Sequence, residues 1–379
     1  MAAASRRLIW PFALAALAAT LYLGIRIKRD TLVDFEVYRT ASVRALAAEP
    51  LYRPEDGHYQ FKYLPAFALA MAPFGLLPRE TATGLWYVLS VTLLCLFVNT
   101  SVAALPDRRV ASRTLLWIVA VLTGKFWIKE LMLGQSNALL GVVLILAFVA
   151  AQSGLWRRAG VLVGVGVFIK PYAIVLVPWL LLAGGPTPAA FAAAVIGAGL
   201  VAPAAVYGRQ GNGVELSEWY RTVTGTTGAN LIFPENVSFS AMTSRWLGPG
   251  PDASHLALLL IAAAGALVAT AMALRRGVAS PAYLEFALIL LFVPLISPQG
   301  WDYVLLLATP ALVILIDRWR SVNRVWQAAT AVGIACVCLT IFDLLGRALY
   351  ARLMSWSLVT LGAVVLAVAL VHLRVRRQA

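Results

Sequence analysis

The stretch AGVLVGVGVFIKPYAIVLVPWLLLA, residues 159–183, decides how the rest of the chain is read. Lys170 is its only charged residue. A helix on the surface of a soluble protein keeps one polar face, and this stretch has none. An uncharged run of about 20 residues is what crossing a bilayer requires. A cation inside such a run costs about 2.5–3.5 kcal/mol on insertion scales and marks a functional position by default. Pro171 beside it interrupts the helix, so the plainer alternative is a lysine set at the membrane interface.

The composition of all 379 residues agrees with that reading. Hydrophobic residues make up 61% and charged residues 13%, against about 45–50% and about 25% in soluble proteins. A soluble fold cannot hide that much apolar surface, and a disordered chain needs low hydrophobicity, so both classes are excluded. Twelve Trp and twelve Tyr suit two lipid–water interfaces. The net charge is +14, from 31 Lys and Arg against 17 Asp and Glu. The basic residues form short clusters between apolar runs, with no basic stripe interleaved with aromatics, so no nucleic-acid partner is expected. Cys95, Cys336 and Cys338 all lie in apolar runs, which argues against a disulfide framework or a zinc site. With only His58, His255 and His372, a His-rich metal centre is excluded. No cofactor is called for, while dependence on a carboxylate-bound divalent metal is left open.

Candidate crossings fall at about 8–25, 83–104, 114–130, 137–153, 159–170, 172–184, 188–207, 255–274, 281–297, 302–317, 324–342 and 355–373. The first follows Arg6-Arg7 and lacks a clean small-residue cleavage site before Arg26-Ile27-Lys28-Arg29, so it reads as a retained helix rather than a signal peptide. The run Tyr63–Leu77 carries Pro65 and Pro73 and is short, as a re-entrant or interfacial segment would be. Lys and Arg set orientation. With a cytoplasmic N-terminus and 63–77 not crossing, Arg108-Arg109-Arg113, Arg157-Arg158, Arg275-Arg276, Arg318-Arg320-Arg324 and Arg374-Arg376-Arg377 all fall inside. The segments 26–62, 131–136, the Lys170-Pro171 turn, 208–254, 297–301 and 343–355 are then left outside. These are the polar, unusually composed stretches, so function is expected on the outer face. The two halves show no internal repeat, which counts against an inverted-repeat transporter.

The first outer segment contains Asp34-Phe35-Glu36-Val37-Tyr38-Arg39. The run 33–47 reads as an amphipathic helix at the interface, with Asp34 and Tyr38 on one face and Glu36 and Arg39 able to pair on another. The plainer alternative is a solvated helix with Asp34 favoured by the N-terminal dipole. Lys62 and Tyr63 sit where the chain returns to the membrane, where a snorkelling lysine is also an ordinary finding. In Gly134-Gln135-Ser136-Asn137, turn chemistry explains Gly, Ser and Asn, with Ser136 or Asn137 capping the next helix. Gln135 is unexplained by it, and its amide suits a sugar hydroxyl. Asn236-Val237-Ser238 and Arg245 lie in the large outer segment 208–254, which is rich in Gly, Thr and Trp and has room for short helices. Ser297-Pro298-Gln299-Gly300-Trp301-Asp302 reads as a turn with Asp302 as cap, or as a second group of functional residues.

In their order, Asp34-x-x-x-Tyr38, Leu51-Tyr52, Tyr63-x-Pro65, Gly134-Gln135-x-Asn137, Ala159-Gly160 to Lys170-Pro171, Asn236-x-Ser238 to Arg245, and Ser297-Pro298 to Trp301-Asp302 resemble glycosyltransferase family 87. This is a bacterial group of multi-spanning GT-C proteins that includes polyprenyl-phosphate-mannose-dependent mannosyltransferases and related arabinofuranosyltransferases. The resemblance runs from about residue 30 to 318. Val237 and Tyr303 depart from the Gln and His common at those positions.

The resemblance implies an all-α polytopic membrane protein of GT-C architecture, with about twelve transmembrane helices and an amphipathic helix in the first outer loop. It implies one integral membrane domain over 1–379, with a catalytic core about 8–318 and further helices about 324–373. It also implies a bacterial inner-membrane enzyme working on the outer face, with a polyprenyl-phosphate sugar as donor, a lipid or glycan as acceptor and membrane lipids as surroundings. The catalytic carboxylate maps onto Asp34. Tyr38, Lys62, Tyr63, Gln135, Asn137, Lys170, Asn236, Arg245, Trp301 and Asp302 are the candidate substrate-binding residues. The residue types fit: a phosphate leaving group needs cations rather than an acid, and the acceptor hydroxyl needs one base. A single carboxylate with direct displacement predicts inversion. The alternatives are a transporter or flippase of lipid-linked sugars, which would place polar groups on both faces, and a non-catalytic membrane scaffold.

Overall fold

The structure, a computed structural model, describes residues 32–274 and 281–375. The crossing expected at 8–25 and the clusters Arg275-Arg276 and Arg376-Arg377 lie outside the described residues. Among those described, the regular structure is helical, with one isolated bridge pairing Asn236 and Trp301. The α-helices are α1 (Val33–Leu46), α2 (Pro65–Ala70), α3 (Ala72–Gly75), α4 (Arg79–Ala104), α5 (Ser112–Leu133), α6 (Asn137–Gln152), α7 (Trp156–Ile169), α8 (Leu176–Gly184) and α9 (Pro186–Val201). They continue with α10 (Ala204–Leu231), α11 (Phe239–Leu247), α12 (Pro251–Ala273), α13 (Pro281–Ile296), α14 (Thr309–Asp317), α15 (Arg324–Cys338), α16 (Phe342–Ser355) and α17 (Leu358–Val375).

By length and composition α4, α12 and α17 can each cross a membrane, and the bent pairs α9–α10 and α15–α16 raise the number of described candidates to five. Shorter apolar helices occur at Asn137–Gln152, Pro171–Gly184 and Pro281–Ile296. The protein is a membrane-embedded helical protein. Leu258 and Leu259 on α12 are more than half exposed, as side chains facing lipid are. The interrupted run 63–77 forms only the short α2 and α3, each opened by a proline in its first two positions.

Three segments differ from their sequence reading. The stretch 208–254 does bear helices, but its first is long rather than short: α10 runs to Leu231 with a break at Gly208 (φ 70°), and the short α11 follows. The run 188–207 is not one straight span, because α9 ends at Val201 and α10 leaves at 89°. The stretch 343–355 belongs to α16, set at 96° to α15. Apolar content alone does not record a sharp bend between two helices, nor polar content a helix set across its neighbour.

The described chain divides into two compact units. The first gathers the chain up to Phe97 with Trp127–Thr226. In it, α1 buries a stripe of Phe35, Tyr38, Ala41, Ser42 and Ala45, at helical spacing. Phe35 stacks on Trp86 with centroids 5.1 Å apart, and Phe74 meets both rings edge-on. Helix α7 approaches α9 closely because Gly160 and Gly164 lie one turn apart: a Cβ at 160 would strike the Pro188 carbonyl, and one at 164 would come within 2.9 Å of the Ala192 oxygen. Small residues four apart serve this purpose in membrane helices.

The second unit takes Val98–Phe126 and Thr227 onward. Helix α13 is buried from Tyr283 to Leu295. Glu285 on it accepts from Arg374 of α17 at 3.3 Å, both side chains being almost wholly enclosed. At the end of α14, the Asp317 carboxylate accepts from the backbone N–H groups of Arg109 and Val110, at 2.8 and 2.9 Å. Two clusters assigned by charge to the same side therefore meet.

The α5–α6 turn depends on Gly134. Its φ is +72°, and a Cβ there would lie 2.7 Å from Phe35 Cβ. Trp86 Nε1 donates to its carbonyl at 3.0 Å. Gly134→Ala is expected to destabilise the protein by about 1–3 kcal/mol through strain and displacement of α1, read as a lower thermal midpoint in detergent. An unchanged midpoint would show that the turn relaxes without cost.

Candidate active site

Three chain segments far apart in sequence meet in the first unit. Asp34 lies in the first turn of α1, where unpaired N–H groups favour negative charge. Gln135 lies in the turn before α6. Lys170 lies where α7 stops: its backbone is extended (φ −150°, ψ 126°), and the 3₁₀ turn Pro171–Val175 follows. Gln135 Nε2 donates to Asp34 Oδ2 at 2.6 Å, and Lys170 Nζ donates to Gln135 Oε1 at 3.0 Å. The Lys170 ammonium also lies 5.9 Å from the Tyr63 ring centroid and 6.0 Å from that of Tyr172, a cation–π setting for a desolvated charge.

A second bridge runs beside the first. Glu130, fully buried on α5, accepts from Asn137 Nδ2 at 2.9 Å and from the Ala138 N–H at 2.6 Å. Asn137 Oδ1 accepts from the Tyr172 hydroxyl at 3.2 Å. Ser136 is the N-cap residue of α6 by position but makes no side-chain capping bond. The first-turn N–H groups are served instead by a carboxylate from the preceding helix. The capping expected of Ser136 or Asn137 is thus corrected.

Aromatic residues complete the wall. The Tyr38 and Tyr63 hydroxyls are 2.7 Å apart, and Tyr52 donates to the Tyr63 carbonyl at 2.6 Å. Helix α10 fixes the segment 49–63 from the other side. Glu215 accepts from the Leu51 N–H at 3.2 Å, Trp219 Nε1 donates to the Lys62 carbonyl at 3.2 Å, and the Tyr207 hydroxyl donates to the Glu49 carbonyl at 3.0 Å. Glu36 pairs with Arg39 at 3.4 Å, as the helical spacing predicts.

Burial holds the Asp34 carboxyl above the usual carboxylate range, against the lowering effects of the Gln135 hydrogen bond and of Lys170, His58 and Lys62. Burial lowers the Lys62 ammonium, opposed by Asp34. Burial also keeps the Tyr38 phenol well above its ordinary value, so it is a hydroxyl donor at any working pH.

Asn236, Arg245, Trp301 and Asp302 belong to the second unit. Asn236 is fully buried; its amide donates to the Asn230 carbonyl at 3.0 Å and the Pro298 carbonyl at 2.8 Å, and accepts from the Ser238 N–H at 3.0 Å. Ser238 caps α11 by accepting from the Ala241 N–H at 3.0 Å. The backbone of buried Asp302 donates to the Glu235 carbonyl at 2.8 Å. Trp301, rather than Asp302, is the capping residue of the 3₁₀ turn 302–308. Trp301 lies nearly parallel to Tyr303, with centroids 6.4 Å apart. Arg245 donates to Ser357 Oγ from Nε (3.1 Å) and Nη2 (3.0 Å), and from Nη1 to the carbonyls of Asn236 (2.9 Å) and Phe233 (3.2 Å). These bonds tie the loop before α11 to the start of α17.

The sequence reading passed over Glu130, Tyr172 and Ser357. Glu130 had a usable signal: a carboxylate near the end of an apolar run is a functional candidate by default.

Helices that embed in a membrane here carry a buried cluster of a carboxylate, an ammonium and amides, as a membrane protein that handles a polar group requires. The chain belongs to glycosyltransferase family 87, whose family model matches residues 61–298, more than half of it. It is a membrane glycosyltransferase. Lys62, Tyr63, Gln135, Asn137, Lys170, Asn236 and Arg245 fall inside the matched residues; Asp34, Tyr38, Trp301 and Asp302 fall outside them. Comparison with curated proteins finds no match.

Arg245→Lys keeps the charge but loses the planar fork that reaches three acceptors. It is expected to lower stability by about 1–3 kcal/mol, seen as a drop in thermal midpoint. An unaltered midpoint would free Arg245 from this tethering role.

Proposed function

We propose that the protein transfers a sugar, mannose or another hexose or pentose, from a polyprenyl-phosphate donor to a lipid or glycan acceptor, with inversion. The reaction would take place on the outer face of the bacterial inner membrane, within one membrane-embedded domain. The supporting observation is the Asp34–Gln135–Lys170 chain of hydrogen bonds, which holds an acceptor-only carboxylate and a buried ammonium in one cluster.

The roles follow from charge. The acceptor oxygen forms a bond to the anomeric carbon, and its proton passes to Asp34. The bond from that carbon to the donor phosphate breaks, and polyprenyl phosphate leaves with the electron pair. A phosphate leaving group needs no proton, so the demand is for cations near it, and Lys62 and Lys170 meet that demand. Asp34 meets the demand for a base, and burial makes it a stronger base than an exposed aspartate. The hydroxyls of Tyr38 and Tyr63 and the amide of Asn137 supply hydrogen-bonding groups beside it. Arg245 is left as a tether of its own loop, since its donors are committed there.

Asp34→Asn should fold and insert normally and lose transfer about 10²–10⁴-fold, the usual worth of a general base. Near-normal turnover with a polyprenyl-phosphate sugar would remove Asp34 from the mechanism. Lys170→Ala should lower kcat/KM for the donor, with unchanged donor kinetics overturning its phosphate role. Because the base must be ionised and burial raises its pKa, activity should be full at higher pH. It should fall as pH drops through a value above the ordinary carboxylate range. A kcat/KM profile flat down to the ordinary range would count against this assignment.

A further inference from the structure

Gln135 attracted attention in the sequence as an amide suited to a sugar hydroxyl. The structure gives both ends of that amide to protein. We infer that Gln135 is a positioning residue that ties the Asp34 carboxylate to the Lys170 ammonium, setting the geometry and the basicity of Asp34, and that it is not a contact to the sugar. The inference rests on the reading of Asp34 as base.

The two charged neighbours fix the orientation of the amide. An ionised carboxylate only accepts hydrogen bonds, and an ammonium only donates them. With Nε2 toward Asp34 Oδ2 and Oε1 toward Lys170 Nζ, both contacts are satisfied. Turning the amide over would set oxygen against oxygen and N–H against N–H, so the two charged neighbours fix one orientation. Glutamine suits this place because it carries one donor end and one acceptor end without a charge of its own.

The turn that carries Gln135 is held on several sides. The N–H groups of Gly134 and Gln135 both donate to the Glu130 carbonyl at 3.0 Å. The Glu130 carboxylate holds Asn137 and Ala138 on the far side of the turn. Trp86 holds the Gly134 carbonyl, and Leu32 N–H donates to the Met132 carbonyl at 2.8 Å. A side chain on so constrained a backbone can define where its neighbours sit.

A carboxylate and an ammonium closed into a direct buried pair would depress the carboxyl pKa by about 1–3 units and weaken the base. An amide between them binds each group while sparing the ammonium's other donors for a phosphate. The groups facing Asp34 are Lys170 beyond Gln135, His58 from the 3₁₀ turn Pro54–Tyr59, Lys62 and Tyr63 from the following segment, and Tyr38 on its own helix. Glu130 in turn faces Lys170. Gln135 touches both Asp34 and Lys170.

The test uses the full-length protein in detergent, with a polyprenyl-phosphate sugar as donor, and compares Gln135→Leu with the parent. Leucine fills the space and makes neither bond. The expected result is a fall in kcat/KM at neutral pH on the order of 10²-fold, the cost of a misplaced catalytic group. The acidic limb should also move to higher pH, because the ionised carboxylate has lost a donor that favours it. Gln135→Leu in the Asp34→Asn background should cause little further loss, since both changes act through one group. An acidic limb that stays in place, with losses that multiply in the double variant and a raised KM, would overturn the inference in favour of a sugar contact. A lowered thermal midpoint with unchanged pH dependence would overturn it in favour of a purely structural role. Asp34→Asn alone separates the two layers. If it remains active, the base assignment fails. If it is inactive while Gln135→Leu leaves the limb unmoved, only the bridge fails.

Discussion

A carboxylate removed from water must be met by donors, and this requirement organises the first unit. Asp34 receives the Gln135 amide and Glu130 receives the Asn137 amide and a helix N–H. Each amide hands its oxygen to a group from the break after α7, Lys170 in one case and Tyr172 in the other. An unpartnered buried charge would cost several kcal/mol, so the turn between α5 and α6, the start of α1 and the break at 170–172 must keep their register together. The site and the packing of these helices are therefore one structural problem.

The membrane sharpens that constraint. Helices there cannot leave backbone groups unmet, so breaks are confined to places where side chains or other segments take them up. Lys170-Pro171 is such a break: α7 ends, the backbone becomes extended, and the next turn starts. In the second unit, loop atoms are satisfied in a comparable way. Asn236 and Arg245 spend their donors on loop carbonyls and on Ser357, which makes a fixed knot of segments that composition alone presents as irregular.

Much of this was legible from the chain. The apolar excess settled a helical membrane protein, and the ordered motifs settled the family. Asp34 and Tyr38, four residues apart, indeed lie on neighbouring positions of one helix, and Glu36 pairs with Arg39. Other features were misread for a physical reason. The stretch 208–254 read as an outer segment with room for short helices because glycine and threonine disfavour long ones locally, yet α10 runs unbroken from Arg209 to Leu231, with Trp219 and Glu215 bonded to the segment 49–63. Glu130 was overlooked although its partners Asn137 and Ala138 lie only seven and eight residues on, because a carboxylate closing an apolar run next to Lys129 carries no motif of its own.

The sequence by itself determined that this chain lives in a bilayer, that it is a family 87 glycosyltransferase, and which polar residues are out of place in apolar company. Those are properties of composition and local order, present at every position. Which of these residues meet was decided only by the tertiary structure. The link from Gln135 to Asp34 joins residues 101 positions apart, and the link to Lys170 joins residues 35 apart. Hydrogen bonds need atoms within about 3 Å in the right orientation, and that proximity is produced by helix packing, which no local pattern of residues records.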